Sequence, residues 1–175
     1  IKIKNGYILA SAKKGLLGTR IKFPSISVGA TENVIIAASY AKGTTYLKNC
    51  ACEPEIKNLT NFLKKMGAKI TWINKREIKI IGNKKLKSIS HNVMFDRIEA
   101  GTFVIAGALA GKSLRILSVD TKILKKELTV LRRMGVRLKI KKNEVQVLES
   151  KNIKPTSIKT EPYPGFPTDL QAQIM

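Results

Sequence analysis

The 175-residue chain, 43% hydrophobic, can bury the core of one domain or of two small ones. Its 33 Lys and Arg against 12 Asp and Glu give a formal charge of +21, but the Lys residues are spread along the whole length and far outnumber Arg, which argues against a dedicated nucleic-acid surface. Two cysteines and one histidine are too few for a four-ligand zinc site, and apolar runs such as "VIIAA" are too short to cross a bilayer.

Two readings of the charge stay open: solvated Lys faces, or a polyanionic or phosphorylated ligand. Cys50 and Cys52, without a secretory signal, fit a reducing cytoplasm better than a disulfide scaffold. The chain starts at Ile1 rather than Met and stops at Met175 inside an apparent helical turn, so we expect a piece of a longer polypeptide.

In chain order, the first readable element is a helix over about 31–41, apolar nearly all round, which predicts burial on every side and an end at Gly43. A short strand, "TTYLKN", follows. A second helix opens at Glu53-Pro54, with Pro suited to a first turn, and sets Ile56, Leu59, Phe62, Leu63 and Met66 on one face. After Met66-Gly67, "AKITW" and "EIKII" read as a strand pair turning at Asn74-Lys75. The polar stretch "GNKKLKSISHNVMF" crosses to the next part of the chain, and its His91 carries no assigned role.

The same order then recurs. A helix over about 99–110 ends at Gly111, "SLRIL" is a strand, and Leu124, Leu128, Leu131 and Met134 line one face of a second helix. "VRLKI" and "EVQVL" make another strand pair. Gly43 aligns with Gly111 and Met66-Gly67 with Met134-Gly135, at a common offset of about 68 residues, and "FPTDLQAQIM" falls where a third copy would start. The repeating unit is helix, strand, helix, strand, strand. Its apolar first helices predict helices inside and sheet outside.

Three stretches carry a resemblance: "SVGATENVIIAA" (27–38), "DRIEAGTF" (96–103) and "YPGFPTDLQAQ" (163–173). With "EPEIKNLTNFLKKMGAKI" they resemble the UDP-N-acetylglucosamine 1-carboxyvinyltransferase family, and the resemblance runs from end to end of the chain. It implies an α/β fold: inside-out α/β barrel domains built from repeated βαβαββ-type units, present here in part. Residues 1–94 would end the first domain and 95–175 begin the second. The family's reaction, the first committed step of bacterial peptidoglycan synthesis in the cytoplasm, moves the enolpyruvyl group of phosphoenolpyruvate to the 3-hydroxyl of UDP-N-acetylglucosamine. It releases phosphate and uses no metal or other cofactor.

A neutral sugar hydroxyl is a poor nucleophile and needs a base within hydrogen-bond reach. The resemblance assigns that role to Asp169, on an approach stiffened by Pro164 and Pro167 and allowed to turn by Gly165. Read from the residues alone, Asp169 is first a helix N-cap or first-turn acid, and it is the resemblance that turns it toward the substrate. Thr168 is expected to cap the helix and also to touch the sugar. Ser25, Ile26, Ser27, Val28 and Gly29 precede the first helix, where free N–H groups suit an anion or a uracil edge, or mark an ordinary strand-to-helix turn. The resemblance places them on the uridine nucleotide.

Asp96, Arg97 and Glu99 are expected to set the second domain's first helix and an ion-pair network between domains. Two departures stand out. The family often has Lys or another polar residue at Ser25, and often R-E-P-E where this chain has Cys52-Glu53-Pro54-Glu55. The family's loop Cys and its phosphate-holding Lys-Asn pair and Arg residues have no counterpart in this segment, so the segment alone is expected to be inactive and to need the remainder of the polypeptide. No membrane or nucleic-acid partner is expected. A basic, non-catalytic α/β repeat protein binding nucleic acid is the rival reading.

Overall fold

Residues 1–82 and 85–175 are described by the computed structural model, in which the chain divides into two units, Ile1–Asn92 and Val93–Met175. Of the polar crossing between the two copies, residues 83 and 84 lie outside the described residues.

The first unit opens with β1 (Lys2–Lys4) and β2 (Tyr7–Leu9), an antiparallel hairpin turning at Asn5-Gly6, both at positive φ. An Asn-Gly pair favours that turn because both residues tolerate φ above zero. Next come β3 (Arg20–Lys22), α1 (Val28–Tyr40), β4 (Thr44–Lys48), α2 (Pro54–Lys65), β5 (Lys69–Asn74) and β6 (Glu77–Ile81). The first three strands have no counterpart in the sequence reading, since three residues are too few to show a period.

The sheet runs β3-β4-β6-β5, with β3 parallel to β4 and the other pairs antiparallel. Leu47 lies opposite Ile78, and Ile70 opposite Ile80, so alternate side chains enter one face, as the pleat requires. These four residues, with Phe23, Ile35, Ile56 and Leu63, form the core.

Helix α1 departs from expectation twice. It begins at Val28, a turn earlier than the apolar run suggests, because Ser27 caps it. It also buries only Thr31, Ile35, Ala38 and Ser39, while Ile36 (47% exposed) and Tyr40 face out. Within its unit α1 packs on α2 and β6 from one side only, so its apolar residues are covered on that side alone. Gly43, at φ 98, lies in the turn into β4; the helix already ends at Ala41, whose backbone is extended.

The second unit contains α3 (Arg97–Ala110), β7 (Leu114–Leu117), α4 (Lys125–Arg133), β8 (Leu138–Lys141), β9 (Glu144–Val147), one 3₁₀ turn (Thr168–Leu170) and α5 (Gln171–Ile174). Its sheet order, β7-β9-β8, repeats β4-β6-β5: in both, the last strand of the copy pairs with the two before it. Gly111 does end α3, in the left-handed conformation at φ 65. Leu124, Leu128, Leu131, Val104, Val145, Val147, Phe166 and Leu170 are buried together. Like α1, α3 covers one side only and leaves Phe103 and Leu109 exposed, the latter 76%.

Candidate functional site

In the first unit, the parallel pairing of β3 and β4 sets their C-terminal ends, Lys22 and Lys48, side by side. Phe23 continues the pairing by donating its N–H to the Lys48 carbonyl (3.0 Å), and Asn49 Nδ2 donates to the Phe23 carbonyl (3.0 Å). The chain then enters the segment 25–29. Ser25 and Gly29 are exposed; Ile26, Ser27 and Val28 are half-buried.

Gly29 is the second residue of α1 rather than a residue before it, since the helix starts early. Ser27 Oγ accepts from the Ala30 N–H (3.3 Å), and the first intrahelical bond runs from the Thr31 N–H to the Ser27 carbonyl (3.1 Å). The Val28 and Gly29 N–H groups precede that bond, at the positive end of the helix dipole. A Cβ at Gly29 would meet no atom within 4 Å, so the approach to the terminus is open. Thr31 Oγ1 braces the turn, donating to the Ser27 carbonyl (2.7 Å) and accepting from the Ala51 N–H (3.0 Å). Replacing Ser27 by Ala is expected to cost about 1 kcal/mol of stability, measured by urea unfolding, because one helix donor loses its cap.

Ala51 sits between two buried thiols. Burial pushes Cys50 up to about 11, with Glu77 adding to the rise and Arg76 opposing it. A thiol so rarely ionised is a poor nucleophile or ligand. Among the described residues no group of three His, Cys, Asp or Glu side chains could hold a metal ion.

In the second unit, Asp169 occupies the middle of the 3₁₀ turn, exposed on its surface, with Thr168 exposed beside it. The approach is closed on itself. The Glu161 N–H donates to the Phe166 carbonyl (2.9 Å), and the Gly165 N–H to the Pro162 carbonyl (2.9 Å). A Cβ at Gly165 would stand 2.8 Å from the Glu161 carbonyl oxygen, so the tight turn has no room for a side chain.

The cap position is held by Pro167, extended at φ −71 and ψ 141, and no side chain caps the turn. Thr168 is therefore not the cap the sequence suggests, and Asp169 is not an N-cap either. Thr168 lies one step inside and Asp169 two, as a first-turn acid, past a proline whose fixed φ already sets the entry. On either side of the exposed pair, Phe166 is 1% and Leu170 0% exposed. A cavity of about 360 Å³, lined by Met134, Ile158, Phe166, Gln171 and Ile174 among others, adjoins the turn, and Asp169 is not among its lining residues.

Asp96 caps α3, its Oδ1 accepting from the Ile98 (2.7 Å) and Glu99 (3.1 Å) N–H groups. Arg97 is buried and pairs inside this unit: its Nη1 lies 3.9 Å from Glu127 Oε1 on α4, and its guanidinium sits 6.0 Å from the Tyr163 ring centre. Burial raises the Glu127 carboxyl above its ordinary range, against the lowering effect of a backbone hydrogen bond and of Arg97. The sequence reading missed Glu127. Its one signal was an acid beside Leu128, on the face that the Leu spacing already marked as core.

The sequence pattern of the EPSP synthase (3-phosphoshikimate 1-carboxyvinyltransferase) family matches residues 1–175. Over 99% of its length the chain is 56% identical to the UDP-N-acetylglucosamine 1-carboxyvinyltransferase of Pelagibacter ubique (strain HTCC1062), and over its whole length 47% identical to UDP-N-acetylglucosamine 1-carboxyvinyltransferase 1 of Clostridium acetobutylicum. It spans 42% of the length of each of these curated relatives. Among solved structures, it superposes on the enolpyruvyl transferase NikO from Streptomyces tendae with a TM-score of 0.70 at 26% identity, covering 83% of this chain and 35% of that one. EPSP synthase from Acinetobacter baumannii gives 0.56 at 19% identity, over 78% of this chain and 32% of that one, a likeness of fold.

Proposed function

We propose that this chain, which belongs to the EPSP synthase (3-phosphoshikimate 1-carboxyvinyltransferase) family, is part of a UDP-N-acetylglucosamine 1-carboxyvinyltransferase working in the cytoplasm. The observation that carries the proposal is Asp169, an exposed carboxylate on a turn whose flanking side chains are fully anchored. Identity of 56% to a relative of that name supports the choice of substrate.

In this reading the first unit ends one domain and the second begins another. The exposed apolar sides of α1 and α3 are covered by further copies of the repeat in the same polypeptide. The Val28 and Gly29 N–H groups and the polar segment around Ser25 receive the uridine nucleotide, with Ile26 and Ser27 shaping the turn. Thr168 touches the sugar.

Asp169 accepts the proton of the sugar 3-hydroxyl as that oxygen bonds to C2 of phosphoenolpyruvate, whose C3 takes up a proton from elsewhere in the complete site. The resulting tetrahedral adduct then loses a proton from C3 and inorganic phosphate from C2, which restores the double bond. The atoms balance: one enol ether and one phosphate leave for each pair of substrates.

The test is turnover of both substrates by the complete polypeptide, read as one phosphate released per enolpyruvyl product, beside the 175-residue chain alone. We expect product from the former and none from the latter. If the complete polypeptide makes no product but binds DNA with an affinity that falls steeply with salt, the basic-repeat reading replaces this one.

A further inference from the structure

We propose that Gly101, in the second turn of α3, is a positioning residue for Asp169. The role rests on the reading of Asp169 as the base. A glycine inside a helix costs about 1 kcal/mol relative to alanine, so its presence calls for a physical reason. Here the reason is a close approach. A Cβ on Gly101 would stand 2.6 Å from Leu170 Cδ1 and 3.4 Å from Leu170 Cδ2, and Leu170 supplies all three of its nearest contacts.

Leu170 is the residue after Asp169, and its side chain is held inside the core. It is 0% exposed, inside a core with Val104, Ile105 and Phe166. A buried side chain crowded at its tip passes part of its displacement to its own backbone. The nearest backbone is the three-residue 3₁₀ turn that carries Asp169. The bond from Gln173 Nε2 to Thr102 Oγ1 (3.2 Å) ties the next stretch of chain to the same part of α3. The missing methyl of Gly101 is therefore the seat that fixes how far the carboxylate stands from the helix.

The same helix supplies a control. A Cβ on Gly107 would meet Leu114 at 3.0 and 3.1 Å and Val147 at 3.3 Å, on the sheet and away from the turn. Gly101→Ala and Gly107→Ala crowd one core from two sides, but only the first pushes on the segment holding Asp169.

The experiment compares kcat, KM and thermal midpoint in the complete polypeptide for Gly101→Ala, Gly107→Ala, Gly101→Ala/Leu170→Val and Asp169→Asn. Gly101→Ala is expected to lower kcat about tenfold to a hundredfold, with KM for the sugar nucleotide within about threefold, because a small misplacement of a reacting group has effects of that size. Gly107→Ala, whose contacts begin at 3.0 Å, is expected to leave kcat within about twofold of the parent whichever way its thermal midpoint moves. The double variant, whose valine lacks the Cδ atoms, regains part of the lost rate.

Unchanged kcat in Gly101→Ala, an equal loss in Gly107→Ala, or no recovery in the double variant overturns the role. Should Gly101→Ala not fold, Leu170→Val alone takes its place: a shortened anchor lowers kcat several-fold, and an unaltered kcat overturns the role. Asp169→Asn separates the two levels. Parental turnover there sinks the base assignment itself, whereas a dead Asp169→Asn beside a fully active Gly101→Ala sinks only the positioning role.

Discussion

Asp169→Asn in the complete polypeptide is expected to lower kcat by about 10²- to 10⁴-fold, the range spanned by loss of a positioned general base. The amide keeps the shape of the carboxylate but turns one of its two acceptor oxygens into a donor, and it cannot take the proton of the sugar hydroxyl. The fold gives only a small reason for a stability loss, the place of Asp169 in the first turn. Asp169 is exposed, it does not cap its turn, and the anchoring falls to Phe166 and Leu170. Exposed substitutions of this kind stay within about 0.5 kcal/mol. A large fall in kcat at an unchanged unfolding midpoint is the expected pair of results. Turnover at the parental rate would remove the base role from Asp169.

Arg97→Met is expected to destabilise the second unit by about 3–5 kcal/mol at neutral pH, because it strands a buried carboxylate without its cation. Arg97 and Glu127 have side chains only 7% and 4% exposed, with 3.9 Å between Nη1 and Oε1. The pH dependence gives the second readout. Burial already raises Glu127 above its ordinary value of 4.5, so the folded state holds that proton more tightly than the unfolded chain does. Stability from this group is therefore present at low pH and lost as pH rises from the ordinary value through the raised one.

Removing Arg97, whose charge lowers the carboxyl, raises it further and carries the loss to higher pH. Urea unfolding should thus show a smaller deficit for Arg97→Met near pH 5 than near pH 8. A deficit that does not change with pH would mean that Glu127 is not the group left uncompensated. By contrast, the exposed Arg115–Glu144 pair, at 2.8 Å, lowers the Glu144 carboxyl but lies where solvent screens it, and such pairs contribute little.

The sequence by itself determined the repeat, the five elements of each copy and the faces of α2 and α4. Those properties are local. A helix facing a core from one side needs apolar residues every three to four positions, and a half-buried strand needs them at every second. The strand order inside each copy is not local, because either neighbour of a hairpin can accept a third strand. Only tertiary pairing decided that β6 and β9 lie in the middle. Nor could periodicity reveal β1, β2 or β3, which are three residues each, or say which side of α1 and α3 their own unit covers.

At the candidate site the division is the same. The prolines around Asp169 were legible because a fixed φ belongs to the residue itself. That Pro167 rather than Thr168 holds the cap position, that Glu127 lies under Arg97, and that Leu170 rests where Gly101 has no side chain depend on atoms from distant parts of the chain meeting in space. A single sequence carries no direct record of those meetings, since each is set by packing and not by the propensity of any one residue.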